Sequence, residues 1–137
     1  MEPGPLALGL ARVGDRWSLL IVDALLAGPL KYGELSGAVD GIAPNILASR
    51  LRQLERDGLV VSRVYSERPV RMAYELTETG RGLAGALSLL ADWGARANGQ
   101  PAPQFHDACG GEVEQRLWCR TCERVLDDGD IHHFDEV

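Results

Sequence analysis

Four residues late in the chain have the types and spacing to hold a metal ion. His106 and Cys109 stand three apart, Cys119 and Cys122 stand three apart, and nine residues separate the two pairs. Two tight turns can present such pairs as a tetrahedral set of one imidazole and three thiolates, the coordination that structural zinc prefers. Gly110 and Gly111, directly after Cys109, suit such a turn. The pairing uses every cysteine of the chain, which favours a zinc ribbon over three reduced, unliganded thiols. His132 and His133 are alternative ligands, but they lie ten residues or more past Cys122, and His106 has the better spacing. A site closed by four protein ligands keeps no position for water, so it stabilises a fold and performs no reaction.

A second set could recognise nucleic acid. Asn45, Ser49, Arg50, Arg52 and Gln53 fall within nine residues, and Arg68 and Arg71 follow. Amides and hydroxyls can match the donor and acceptor pattern of base edges in the major groove, and guanidiniums suit guanine edges or phosphates. Arg68 and Arg71 are placed for the minor groove or its flanking phosphates, and Lys31 and Tyr32 for backbone contacts. Arg56 and Arg63 are expected to be structural or to face solvent.

These side chains need elements to hold them. Pro44 suits the first turn of a helix, where its missing N–H costs nothing. Leu47, Leu51 and Leu54 then repeat at four- and three-residue spacing, which predicts one buried stripe. Asp57-Gly58 stops this helix, with Gly58 available for the left-handed position beyond it. Val60–Tyr65 and Val70–Leu76 read as strands around a Ser66–Pro69 turn. Upstream, Leu6–Arg12 predicts a short helix. Asp15 can cap a second helix, whose apolar face holds Trp17, Leu20, Ile21, Ala24 and Leu25, and Gly28-Pro29 ends it. A third helix fits Lys31–Val39, and Asp40-Gly41 turns it into the Pro44 helix, making a helix-turn-helix pair. Thr77 can cap a longer helix reaching about Ala97, striped by Leu83, Ala86, Leu87, Leu90 and Trp93. Its glycines at 80, 82, 85 and 94 each weaken helicity by up to ~1 kcal/mol, so packing must supply the order. That stripe suits a partner helix or the chain's own core equally well.

The 137 residues leave room for one compact domain and a small appendage, with 45% apolar residues to build a core. The expected division is a DNA-binding and dimerisation domain over 1–97, a Gly/Pro linker over 98–103, and a zinc-ribbon-like extension with an acidic end over 104–137. The fold class is α+β, mainly α: a winged helix-turn-helix with a long C-terminal dimerisation helix and a small zinc ribbon. No apolar run reaches the ~20 residues of a membrane span. Residues 1–5 lack the basic-then-apolar order of a secretory signal, so the expected setting is the cytoplasm, where a disulfide is not expected.

A net charge of −6 argues at first against a nucleic-acid partner. Its distribution reverses that. Residues 1–97 carry eleven basic and eleven acidic residues, while 98–137 carry three basic and nine acidic. Six arginines lie between Pro44 and Arg71, against Glu55, Asp57 and Glu67. A basic patch on a neutral body can steer towards phosphates whatever the bulk charge.

Val13-Gly14-Asp15-Arg16-Trp17 with Leu19-Leu20-Ile21, then Tyr32-Gly33-Glu34-Leu35, resembles the opening of the HxlR family of bacterial winged-helix regulators. Leu47 to Val60, reading LASRLRQLERDGLV, resembles its recognition helix, and Tyr74 to Gly80, reading YELTETG, its exit from the wing. The likeness spans about residues 8–97. It implies a homodimeric transcription factor, a repressor by expectation, on a pseudo-palindromic double-stranded DNA operator, with the terminal helices forming the dimer. The tail is similar to a cysteine-containing extension on a subset of such regulators. A small-molecule inducer acting through the angle between subunits fits this plan, but no residue names one. There are two departures. Ala43 replaces a capping Ser, giving up ~1 kcal/mol. The first 100 residues hold no cysteine, so a thiol switch cannot operate there.

Two other readings stay open: a protein-interaction module using the winged helix and acidic tail, and a zinc-responsive metal sensor. An enzyme is not expected, because all three histidines lie in the tail and no phosphate loop or nucleophile motif is present.

Overall fold

The computed structural model describes residues 2–132; His133 and the acidic Asp135 and Glu136 lie outside the described residues. By internal packing the chain divides into one unit through Ser88 and a second from Leu89 onward, the division falling inside a helix.

The first unit opens with α1 (Pro5–Val13) and α2 (Arg16–Leu25). Asp15 caps α2 as its sequence position predicts: the Ser18 N–H donates to Oδ1 at 2.9 Å and the Ser18 hydroxyl to Oδ2 at 2.8 Å. Strand β1 (Leu30–Lys31) leads into α3 (Tyr32–Ala38), where the Lys31 N–H donates to the Glu34 carboxylate at 3.0 Å. Helix α4 (Pro44–Arg56) starts with Pro44 in its first turn and Ala43 at the cap position, which supplies no side-chain cap. Gly58 adopts φ 74, the left-handed conformation a non-glycine residue resists, and so releases the chain into β2 (Val60–Glu67). Strand β3 (Val70–Leu76) returns antiparallel to it, and β1 pairs with the outer side of β3, giving the order β1-β3-β2.

The core lies between these elements. Ile21, Val22 and Leu25 of α2 meet Leu35 of α3, Leu47, Leu51 and Leu54 of α4, and Leu59, Val60 and Leu76 around the sheet. Each fully buried aliphatic side chain contributes about 1.5–3 kcal/mol relative to exposure, so the α4 stripe alone fixes the rotation of that helix. The rotation decides which residues face solvent.

Two expectations change. The turn between β2 and β3 is shorter than Ser66–Pro69, because the strands pair through Glu67 and Val70. The long helix from Thr77 is broken. Thr77 caps only α5 (Glu78–Arg81), accepting from the Gly80 N–H at 3.1 Å, and α6 (Ala84–Ala97) begins after Gly82. The cause is close packing. A Cβ on Gly80 would stand 2.3 Å from the Leu59 carbonyl oxygen, so the chain is held here against the backbone that leads into β2 and turns before continuing. Within the first unit Leu83 packs against the core and Leu87 is buried, so the first part of the α6 stripe is spent internally.

In the second unit, Leu90 and Trp93 of the same helix stay exposed, Trp93 by 67%. Beyond α6, two short antiparallel pairs form: an isolated Phe105–Glu112 bridge, and β4 (Trp118–Cys119) with β5 (Arg124–Val125). Among the described residues, no helix is long and apolar enough to cross a membrane.

Candidate nucleic-acid interface

Helix α4 buries Leu47, Leu51 and Leu54, and the opposite side carries Asn45, Ser49, Arg52 and Arg56 at successive spacings of four, three and four. Asn45, Arg52 and Arg56 are exposed and Ser49 is half-buried. Arg52 stands in the middle of this stripe. Among the described residues it makes no ion pair or side-chain hydrogen bond, and its charge is therefore available to a ligand.

Arg50 is placed differently. It follows Leu47 by three and precedes Leu51, so it flanks the apolar stripe and turns towards α2, where its Nε lies 3.1 Å from Asp15 Oδ1. Burial pushes the Asp15 carboxyl up, but hydrogen bonds from Ser18 and the Arg50 guanidinium outweigh it and hold the pKa below its ordinary 3.8. Arg50 thus ties α4 to the cap of α2. Gln53 is also engaged: its amide donates to Asp57 at 3.0 Å and its carbonyl accepts from Arg56 at 2.7 Å. Arg56 faces solvent, as expected of it, and shares the outward stripe.

Tyr32 and Lys31 hold the start of the helix-turn-helix. The Tyr32 hydroxyl donates to the Pro44 carbonyl at 2.8 Å and so fixes the first turn of α4 against α3. The Lys31 ammonium lies 4.7 Å from the centre of the Tyr65 ring. Tyr65 sits where the β2–β3 register shifts, between Val64 and Ser66, so this contact links the root of α3 to the hairpin. No sequence pattern announces it, because a two-residue strand and a bulge carry no periodicity.

At the hairpin tip Arg68 and Arg71 are exposed. Among the described residues neither has an ion pair or side-chain hydrogen bond. Arg63 pairs instead with Glu75 across the strands, in line with the structural role expected of it. The stretch from α4 to β3 therefore presents three uncommitted guanidiniums, one on the helix and two on the hairpin, with Asn45 and Ser49 beside the first.

The tail residues form two local pairs. His106 Nδ1 lies 3.3 Å from Cys109 Sγ, and the Cys122 N–H reaches Cys119 Sγ at 3.5 Å. N–H groups of Cys122 and Thr121 hold the Cys119 thiol below its ordinary pKa, while the adjacent Cys119 sulfur pushes Cys122 up. The three cysteines are free thiols. Among the described residues no three His, Cys, Asp or Glu side chains are gathered as a metal site, so the four expected ligands stand as two pairs.

A helix-turn-helix whose second helix runs into a two-stranded hairpin defines the winged helix-turn-helix class. The description of the HxlR-like helix-turn-helix family matches residues 12–101. The chain belongs to that family, one of transcriptional regulators rather than enzymes. An HTH-type transcriptional regulator of Mycobacterium tuberculosis is 39% identical over 117 residues, covering 82% of this chain and 73% of the relative. The Bacillus subtilis HTH-type regulator YtcD is 37% identical over 83 residues, covering 61% and 66%. A crystal structure of YtcD superposes with a TM-score of 0.66 at 33% identity, covering 72% of this chain and all of that one. The reduced form of the B. subtilis regulator YodB gives 0.59 at 30% identity, covering 70% and 94%.

Proposed function

We propose that the protein is a sequence-specific DNA-binding repressor that acts as a homodimer on a pseudo-palindromic operator. The observation that carries this is the set of guanidiniums without internal partners, Arg52 on the outward face of α4 and Arg68 and Arg71 on the wing. In this reading α4 enters the major groove, where Arg52, Asn45 and Ser49 meet base edges, while the wing arginines meet flanking phosphates. Arg50 and Tyr32 serve as positioning residues that set the tilt of α4. Gln53 reads a base only by exchanging its bond to Asp57.

Dimerisation is supported by apolar surface that a monomer leaves wet. In the first unit, α1 exposes Leu6, Leu8 and Leu10, and in the second α6 exposes Leu89, Leu90 and Trp93. A second copy is the simplest cover for both, and two-fold symmetry then spaces the two α4 helices for half-sites about one helical turn apart. An inducer would act on that spacing.

A genome-wide map of bound DNA, paired with a reporter driven by the bound promoter, tests the proposal. The expected sites carry dyad-symmetric half-sites, and the reporter rises when the gene is deleted. Unpaired half-sites would refute the dimer, and a reporter that falls on deletion would refute repression.

A further inference from the structure

The two cysteine-bearing turns of the tail share one backbone geometry. In the first, the Gly110 N–H donates to the His106 carbonyl at 2.7 Å, and Gly110 has φ 68. In the second, the Glu123 N–H donates to the Cys119 carbonyl at 2.8 Å, and Glu123 has φ 53. Each turn thus runs from its first donor residue to the residue just after its second, and that last residue is left-handed in both. For Glu123 this is a conformation that a side chain disfavours. In each turn a backbone N–H also points at sulfur, Gly111 to Cys109 at 3.4 Å and Cys122 to Cys119 at 3.5 Å, an arrangement that stabilises a thiolate. Each turn closes an antiparallel pair, Phe105–Glu112 in one case and β4–β5 in the other.

No fully buried apolar core accounts for this order, although Leu126 and Ile131 are half-buried. Between Asn98 and His132 no residue is buried, and Phe105, Leu117 and Trp118 are all more than half exposed. Its thiols are free, so no disulfide holds it. A segment of this size without a core needs a staple.

We propose that the two turns are the halves of a zinc ribbon and close on one Zn2+ through the imidazole of His106 and the thiolates of Cys109, Cys119 and Cys122. Binding breaks no covalent bond and releases three thiol protons to solvent. Because the two pairs stand apart among the described residues, metal binding and closure of the hairpins are one event. The ligand set leaves no open position, so the ion serves structure.

The test uses full-length protein purified under reducing conditions without added metal. The expected zinc content is one equivalent per chain. Exchange with Co2+ should give the intense visible bands of a tetrahedral site with thiolate-to-cobalt charge transfer. Cys109→Ser and Cys122→Ser should lose stoichiometric zinc while the thermal transition of the winged helix persists. His106→Cys should retain one cobalt with stronger charge transfer, as an added thiolate requires. Zinc well below one equivalent with all three thiols reactive would overturn the proposal. So would a Cys119–Cys122 disulfide under those conditions, or a cobalt spectrum unchanged in His106→Cys.

Discussion

Arg50 and Arg52 are two positions apart in one helix and belong to different parts of the molecule. By type and proximity both are reading residues, and only the rotation imposed by Leu47, Leu51 and Leu54 separates them. Arg52→Ala should leave the unfolding midpoint unchanged and relax preference at one base position by about 1–3 kcal/mol in competition gel shifts. Arg50→Ala should instead lower stability by up to about 1 kcal/mol in urea titration, since the pair with Asp15 is partly solvated, and, because Arg50 holds α4 in place without meeting a base, weaken binding to all sequences alike. Unchanged preference in Arg52→Ala would remove that residue from the reading surface. Asp15 gives a pH signature. Its folded pKa is depressed, so its stabilising effect is present above the unfolded value of about 3.8 and is lost as pH falls through the lower folded value. Between pH 5 and pH 3, wild type should therefore lose more unfolding free energy than Asp15→Asn, which keeps a capping side chain. Equal losses would show that the Asp15 pairing is not maintained in solution.

Elements with strong local signals were legible. The Asp15 cap, the Pro44 start, the Gly58 stop and the leucine stripe of α4 each rest on one or a few neighbouring residues, and each is where the sequence placed it. What escaped depends on distant partners. The break between α5 and α6 arises because Gly80 lies against the Leu59 carbonyl, twenty-one residues away, and periodicity over 77–97 holds no trace of that contact. The same packing makes Gly80→Ala an informative variant. Its methyl must push on backbone rather than on a flexible side chain, so a loss of about 1–3 kcal/mol is expected in thermal or urea unfolding. A neutral result would mean that the α5 contact is loose. Conversely, Ala43→Ser should supply the missing cap of α4 and raise stability by about 1 kcal/mol, with the same assay as readout.

At the scale of the whole chain, bulk charge misleads and its arrangement informs. The −6 total resides in the tail, while the helix-and-hairpin stretch gathers six arginines. Three of those six, Arg50, Arg56 and Arg63, bond to other residues of the chain, a fact that no charge count could reveal. The remaining Arg52, Arg68 and Arg71 carry the proposed function, and their effect should appear as salt dependence. The decisive measurement is the affinity of wild type and of the Arg68→Ala/Arg71→Ala double variant for an operator recovered from the bound-DNA map, by fluorescence anisotropy over a range of salt. Wild-type affinity should fall linearly on a log–log plot, and the variant's slope should be shallower by about one for each phosphate it no longer neutralises. Identical slopes for the two proteins, or an affinity indifferent to salt, would contradict the account.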